Sequence, residues 1–339
     1  MPESFFALPY DQQIAALQAA AESCLPEYDL GGAVLDLLAY QSNAVFSVRH
    51  SGQPVAALRL YRPEHKPLAQ IHSELVLLRH LNESGLPVPQ PIAADDGAPL
   101  TFARISGLGD PLPVALFAWR EGAGYTPDDL PESCARTAGT RLAELHAALD
   151  AFVPPPAFAR PTLDADGLFG ERSPYHSTAG SAIFTDAQQA VFTAIEARVS
   201  ATMKALVARP RAFGLIHADF IPKNLLFAAA DSVIMLDFED CAFGYRLYDL
   251  APALWQFKAT PRYSALRGAF LNGYTAAQSL ADADLAHLET FIAARQVASC
   301  RWLAANQHNP RIREIAPELI ASRSRELAHF LEHGRFGSE

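Results

Sequence analysis

One stretch of the chain, residues 215–249, limits the possible folds more than any other part of the sequence. It reads LIHADFIPKNLLFAAADSVIMLDFEDCAFGYRLYDL, and short apolar runs at 213–216 and 233–236 are each followed by polar residues. Short apolar runs bounded by polar residues are typical of β-strands. We therefore expect two short strands, joined by a brief connection, to bring three oxygen-bearing side chains to one edge: Asp219, Asn224 and Asp237.

These side chains suit phosphoryl transfer from a metal–nucleotide complex. In that reaction one carboxylate accepts the proton of the attacking hydroxyl, and an amide oxygen and a second carboxylate hold Mg²⁺ against the phosphates. Asp219 is then the candidate catalytic residue, and Asn224 and Asp237 are the candidate metal ligands. His217 precedes Asp219 by two residues, and we expect it to brace the loop through hydrogen bonds rather than titrate in the reaction.

The spacing H-x-D-x-x-x-x-N, followed by a strand that ends in L-D-F, resembles the aminoglycoside phosphotransferase and choline kinase family. Relatives in that family include bacterial homoserine kinases and a stress-response kinase group. The matching residues here are His217, Asp219, Asn224, Asp237 and Asp240, and the tail GYRLYDLA at 244–251 also matches. The likeness extends more weakly from about Gly32 to the C-terminus.

The resemblance implies a fold and two cofactors. The fold is α+β and protein-kinase-like, with a small N-terminal lobe made of an antiparallel sheet plus a helix and a larger, mainly helical C-terminal lobe. We expect the lobes at 1–116 and 123–339 with a hinge at 117–122, and ATP and Mg²⁺ as cofactors. Asp249 resembles the kinase Asp that receives backbone amides of the catalytic loop, and its other interpretation is an ordinary helix cap.

The N-terminal region carries the residues expected to contact the nucleotide. Arg59 lies in a β-rich run, and Glu74 lies on the helix that follows it, which is the order of the kinase ion pair that holds the α- and β-phosphates. Asn43, in the turn Gln41-Ser42-Asn43, matches an Asn frequent in the family but is equally well explained as a turn-former.

The hinge is expected to contribute backbone groups to the edge of the adenine. The positions are Phe117, Ala118 and Trp119, followed by Arg120. Backbone contacts leave no code in the sequence, and Trp119 either walls the adenine pocket or packs in the core.

Composition excludes some classes of function. The 27 basic and 37 acidic residues give a net charge of −10, which argues against nucleic acid as a partner. The four cysteines lie far apart, so we expect reduced thiols rather than a zinc site or disulfides. No apolar run approaches the ~20 residues that span a bilayer, and the N-terminus lacks the pattern of a signal peptide. We therefore expect a cytoplasmic protein with no membrane partner.

The acceptor is expected to be a small hydroxylated metabolite, such as homoserine, choline, an aminoglycoside or a sugar. The alternatives are a protein Ser/Thr kinase, a metal-dependent hydrolase using His217, Asp219, Asp237 and Asp240, and a silent nucleotide-binding module. Against the protein kinase, no long activation segment separates Asp237 from the YDLA helix. We expect a mobile surface segment at 163–181 near the acceptor. Oligomeric state is not encoded in any pattern we recognise.

Overall fold

The computed structural model describes residues 5–40, 43–62, 66–173, 182–229, 232–307 and 309–336. It divides into two compact units. Unit 1 comprises residues 1–122 and 152–159, and unit 2 comprises residues 123–151 and 160–339.

Residues 152–159 pack within unit 1, apart from the residues on either side of them in the chain. The Ala159 N–H donates to Ser73 Oγ over 2.8 Å, and the rings of His80 and Phe152 lie 5.0 Å apart. These contacts join the segment to the helix that carries Glu74. The hinge assigned to residues 117–122 stays a prediction.

Unit 1 is an antiparallel sheet with two helices. Its strands have the order β1-β2-β3-β6-β4, with β5 also paired to β6. The elements are α1 (Tyr10–Cys24), β1 (Val34–Tyr40), β2 (Ala44–His50), β3 (Gln53–Leu60), α2 (Leu68–Glu83), β4 (Pro91–Ile92), β5 (Thr101–Ala103) and β6 (Leu112–Ala118).

Successive side chains along β3 lie on opposite faces of the sheet. Leu58 and Leu60 are fully buried in a core that includes Leu17 of α1. Because successive strand residues point to opposite faces, Arg59 faces away from that core. The β2–β3 turn uses Ser51 and Gly52, both with positive φ, as a two-residue hairpin of this twist requires.

Unit 2 is mainly helical. Its elements are α3 (Glu132–Ala151), β7 (Thr162–Leu163), α4 (Ala165–Phe169), α5 (Asp186–Leu206), β8 (Phe213–Ile216), β9 (Leu225–Ala229), β10 (Ser232–Met235), β11 (Ala242–Tyr245), α6 (Arg246–Phe257), α7 (Tyr263–Ala277), α8 (Asp282–Leu285), α9 (Leu288–Ala305) and α10 (Pro310–His333).

Helices α3 and α7 pack at unusually short range because each has a glycine at the crossing. A Cβ on Gly139 would lie 2.0 Å from the Phe270 carbonyl oxygen, and one on Gly273 would lie 1.9 Å from that of Arg136. No side chain fits at either position. The close crossing places Tyr274 of α7 beside His146 of α3.

The two predicted strands at 213–216 and 233–236 form as β8 and β10, but they belong to different sheets. Strand β8 pairs with β11, which also pairs with β7, whereas β10 pairs with β9. The sequence analysis missed β9, because its residues LLFAA read as the connection between the two apolar runs. The chain therefore forms the hairpin β9–β10 instead of a direct β8–β10 pair.

The segment at 163–181 is also more ordered than expected over its described part. Thr162–Leu163 forms a parallel bridge to β11, and Gly167, Leu168 and Phe169 of α4 are buried. Residues 174–181 lie outside the described residues, as do Gln41 and Ser42 of the predicted phosphate turn. Among the helices that the structure describes, none is both long and apolar enough to cross a bilayer.

Candidate active site

Asp249, in the first turn of α6, fastens the start of the 217–224 loop. Its Oδ2 accepts the backbone N–H of His217 over 2.8 Å, and its Oδ1 accepts that of Ala218 over 2.6 Å. Ala218 has a φ of 68°, which is uncommon for a residue with a Cβ. The two charge-assisted bonds hold the loop in that strained turn. Asp249 does not cap its own helix, so the helix-cap interpretation is wrong.

A second layer of side chains orients Asp249. Its Oδ2 also lies 2.9 Å from His146 Nε2, and His146 Nδ1 lies 2.7 Å from the Tyr274 hydroxyl. Burial alone would raise the pKa of Asp249, but the hydrogen bond from His146, the electrostatic influence of the two neighbouring imidazoles and the backbone N–H of His217 lower the pKa below its ordinary value. The carboxylate is therefore ionised and committed to positioning the loop.

Asn224 closes the loop onto Asp219. Its Nδ2 donates to the Asp219 backbone oxygen over 2.9 Å and to Asp219 Oδ2 over 3.0 Å. Asn224 is nearly buried, at 5% exposure. Since the amide nitrogen faces Asp219, the side-chain oxygen points to the other side, and no described residue donates to it.

Asp237 is placed by hydrogen bonds to the residue before it. The Leu236 N–H donates to the Asn224 backbone oxygen over 2.8 Å, and His217 Nε2 donates to the Leu236 oxygen over 2.9 Å. His217 Nδ1 accepts the Asp219 N–H, which is the partner that the Nε2-protonated tautomer needs. Asp237 itself has a φ of 63°. These bonds bring Asp219, Asn224 and Asp237 together although β8 and β10 do not pair.

Arg160 holds the turn that follows Asp237 and was missed by the sequence analysis. Its Nε donates to the Cys241 oxygen over 2.5 Å, and its Nη2 donates to the oxygens of Phe238 and Glu239. The side chain is 9% exposed. A lone arginine in a Pro-rich stretch gave no signal of this role, which depends on a contact 81 residues away in the chain.

Arg295 of α9 is the second missed residue, and it contacts the candidate base directly. Its Nη2 lies 2.5 Å from Asp219 Oδ1, and the two side chains are 12% and 13% exposed. Arg295 also lies beside the buried Tyr248, whose pKa burial raises to about 12 despite that positive charge. Nothing in the α9 sequence distinguishes this arginine from Arg301, so only the helix packing reveals the contact.

Unit 1 contains the predicted ion pair. Arg59 Nη1 lies 2.8 Å from Glu74 Oε1, and Glu74 is 1% exposed. The Tyr61 hydroxyl is 3.4 Å from the other carboxylate oxygen, and the Arg59 guanidinium lies over the Phe117 ring at 5.4 Å from its centroid. The pair thus occupies the sheet face opposite the apolar core. Its contact with a phosphate remains a prediction.

The other candidate nucleotide residues of unit 1 make internal contacts. The Asn43 side-chain oxygen accepts the Arg62 N–H over 3.1 Å. The N–H of Ala118 donates to the Gln90 oxygen, and that of Trp119 donates to the Val55 oxygen. Any contact of those two residues with a nucleotide base would therefore use their carbonyl oxygens.

The donor set of unit 2 fits a magnesium ion bound together with phosphates. Mg²⁺ prefers oxygen ligands and is usually held by one or two carboxylates plus substrate phosphates and water. Asn224 and Asp237 supply such oxygens. Within the described residues, no group of three or more His, Cys, Asp and Glu side chains is arranged around a metal position. His217 has both ring nitrogens engaged, so the four-ligand hydrolase centre considered from the sequence is wrong.

The fold and this site define a class of protein: a kinase-like phosphotransferase. The sequence matches the profile of the phosphotransferase enzyme family over residues 35–291. The homoserine kinase of Rhizobium johnstonii is 30% identical over 274 residues, covering 78% of each chain.

Solved structures show the same fold. A microcompartment-associated aminopropanol kinase aligns with a TM-score of 0.82 and 24% identity, covering 94% of this chain and 99% of its own. An amicoumacin kinase, solved with AMP-PNP, Ca²⁺ and Ami, aligns with a TM-score of 0.72 and 18% identity, covering 93% and 94%.

The chain belongs to the phosphotransferase enzyme family and is a small-molecule phosphotransferase. The predicted family, the protein-kinase-like α+β fold and the assignment as a phosphotransferase are confirmed.

Proposed function

We propose that this protein transfers the γ-phosphate of ATP, with Mg²⁺, to a hydroxyl group of a small metabolite. The observation that carries the proposal is the geometry of the 217–237 region. There a carboxylate, an amide and a second carboxylate are held together by hydrogen bonds anchored on the buried Asp249. The relatives named homoserine kinase and aminopropanol kinase support an alcohol as acceptor.

Asp219 orients the acceptor hydroxyl and takes its proton. In the loose transition state of phosphoryl transfer the proton leaves late, so the main contribution of a carboxylate is to align the hydroxyl with the phosphorus. Asn224 fixes the orientation of Asp219 by donating to its Oδ2. The base is therefore held in place before the acceptor arrives.

Asn224 Oδ1 and the Asp237 carboxylate would hold the magnesium ion. The bound ion supplies positive charge that neutralises the phosphates as charge develops on them. One neutral and one charged oxygen give the ion a site without excess negative charge next to the triphosphate. Arg160 maintains the backbone turn behind Asp237.

Arg59 is the residue of unit 1 that we assign to the nucleotide phosphates. Its planar fork offers several N–H groups, so one guanidinium can contact both Glu74 and a phosphate oxygen. Glu74 keeps the guanidinium in place on the sheet face. The carbonyl oxygens at 117–119 and the Asn43 turn are the remaining proposed nucleotide contacts. The complex of the amicoumacin kinase with AMP-PNP supports an adenine nucleotide as the donor.

The decisive experiment compares Asp219→Asn with Asp237→Ala. Asp219→Asn should bind Mg-ATP like the wild type and lower kcat by about a thousandfold, since a general base contributes ~10²–10⁴. Asp237→Ala should weaken ATP binding only in the presence of Mg²⁺. Calorimetric titration of ATP with and without Mg²⁺ separates the two. Equal affinity in all three proteins, with transfer intact, would overturn the assignment.

The acceptor class is found by measuring ADP formation with a panel of compounds. The panel contains homoserine, aminopropanol, choline, aminoglycosides, methylthioribose, sugars and a protein substrate. We expect acceptor-dependent ADP release with a small hydroxylated compound and none with the protein substrate. Phosphate transfer to the protein alone would favour the protein-kinase alternative.

A further inference from the structure

Two arginines flank one tryptophan next to the candidate base. Arg295 of α9 and Arg323 of α10 place their guanidinium carbons 5.3 and 5.1 Å from the ring centroid of Trp255 in α6. Gln296 bridges the same elements, because its Oε1 accepts the Trp255 N–H and its Nε2 donates to the Arg323 oxygen. The three helices thus build a fixed cationic group beside Asp219.

The positive charge of this group is only partly compensated. Arg295 pairs with Asp219, but Arg323 has no carboxylate within ion-pair distance among the described residues, and its Nη1 donates to Ser299 Oγ over 2.6 Å. Burial and the nearby positive charge of Arg295 lower the pKa of Arg323, whereas Cys300 and Glu326 raise it, so Glu326 compensates part of this charge from beyond ion-pair distance.

The Arg295–Asp219 contact also affects the Asp219 oxygen that an acceptor hydroxyl would approach. Asp219 Oδ2 is bonded to Asn224, so Oδ1 is the oxygen best placed for an acceptor hydroxyl, and Arg295 already contacts it. An acceptor with its own carboxylate could take over the guanidinium and free this oxygen. An amino alcohol has no such group.

We propose, on the basis of the function proposed above, that the acceptor is a small hydroxy acid whose carboxylate is bound by Arg295. The hydroxyl then lies at Asp219 and the carboxylate at Arg295, separated by the short carbon chain of the acceptor. The site selects hydroxy amino acids against the amino alcohols that differ from them only by loss of carbon dioxide.

Matched acceptor pairs test this selection in the wild-type protein. Each pair joins an acid to its decarboxylated counterpart: L-homoserine with 3-aminopropan-1-ol, L-threonine with 1-aminopropan-2-ol, and L-serine with ethanolamine. We expect kcat/KM for at least one acid to exceed that of its counterpart by ~30-fold or more, as for loss of one charged hydrogen-bonding group. The proposal is overturned if no acid is the better member of its pair, including the case in which no acid is phosphorylated.

The variant Arg295→Gln assigns the selection to this residue. With the preferred acid, kcat/KM should fall by ~30- to 100-fold, chiefly through KM, since a charged hydrogen bond is lost. With the decarboxylated counterpart the loss should be at least tenfold smaller, because that acceptor has no carboxylate for Arg295 to bind, and Arg295→Lys should recover part of the loss with the acid. If Arg295 only positions Asp219, kcat falls equally for both acceptors, which also overturns the proposal.

Arg301→Gln is the matched control. Arg301 lies on the same helix, forms an ion pair with Glu196, and lies over the Phe169 ring at 5.6 Å from its centroid. Arg301→Gln should change kcat/KM for both acceptors of a pair by the same small factor.

Failure of the underlying function would look different. A protein that binds no Mg-ATP and phosphorylates no member of the wider panel contradicts the phosphotransfer proposal itself. Transfer to amino alcohols, with normal Mg-ATP binding, leaves that function standing and removes only the carboxylate site.

Discussion

Unit 1 holds its main polar pair through contacts between side chains, whereas unit 2 holds its site through the backbone. In unit 1, Arg59 of β3 meets Glu74 of α2 across 2.8 Å, and the packing of the helix on the sheet decides that distance. In unit 2, the 217–224 loop is tied at both ends, by Asp249 to two N–H groups and by Asn224 to Asp219 and Leu236.

The two arrangements differ in how much movement they allow the functional side chains. A long arginine on a strand can follow a moving phosphate and return to its carboxylate. A base and a metal ligand gain nothing from such movement, because small displacements of reacting groups cost large factors in rate. We therefore expect substitutions in unit 2 to disturb stability and catalysis together, and those in unit 1 to affect mainly nucleotide kinetics.

The largest expected effect comes from Asp249→Asn. Asparagine offers one acceptor oxygen in place of two and presents an N–H₂ to donors, so at least one buried N–H loses its partner. Unfolding free energy should fall by about 3 kcal/mol, and kcat should fall with it because the loop is released. Urea unfolding and steady-state kinetics measure both. Asp186→Asn, at an exposed aspartate in the first turn of α5, is the control and should do little.

Arg160→Met should have the next largest effect. It keeps the apolar stem but removes the bonds to the carbonyls of the 238–241 turn, which should cost about 2 kcal/mol of stability. Metal-dependent ATP affinity should fall as well, since the turn follows Asp237. Arg172→Met, which removes an exposed arginine paired with Asp164 and Asp166, is the comparison. Equal behaviour of the two variants would mean that the turn does not depend on Arg160.

Arg59→Ala tests unit 1. The KM for ATP should rise, or kcat fall, by at least tenfold, which corresponds to about 1.4 kcal/mol, and Arg59→Lys should recover only part. Stability should change less than in Asp249→Asn. Arg49→Ala, which removes an exposed arginine paired with Asp36 in the same sheet, should leave ATP kinetics unchanged. Identical kinetics for the two alanine variants would remove Arg59 from the phosphate site.

The smallest effect is the acid dependence of the Asp249 contribution. A folded pKa below the ordinary value of 3.8 means that ionised Asp249 stabilises the fold fully above that value. The contribution is lost as pH falls through the lower folded pKa. The stability gap between wild type and Asp249→Asn should therefore be constant between about pH 5 and 7 and narrow below about pH 4. Urea unfolding across this range measures it, and a gap that widens in acid contradicts the sign.

Local patterns in the sequence predicted much of the fold. Apolar and polar residues alternate at helical spacing over Asp11–Cys24, which predicts a helix, and α1 forms at Tyr10–Cys24. β-rich runs at 33–40, 44–48 and 55–61 predict three strands, and β1, β2 and β3 form there. The sequence at 283–307 predicts one helix, which the structure divides into α8 and α9 because Ala286 and His287 do not continue the first helix. Strands β9 and β7 were missed, since neither has a periodic pattern of its own.

The sequence by itself determined which residues carry the chemistry. The spacing from His217 to Asn224, and the L-D-F that ends at Phe238, are local properties, and they name Asp219, Asn224 and Asp237 without any structure. Only the tertiary structure decided how those residues are held and what lies beside them. Arg160, His146 and Arg295 approach the loop from distant segments, and an arginine or histidine on a helix looks the same in sequence whether it faces solvent or a carboxylate. The position of His146, for example, depends on the close crossing of α3 and α7 at Gly139 and Gly273, which no short pattern records.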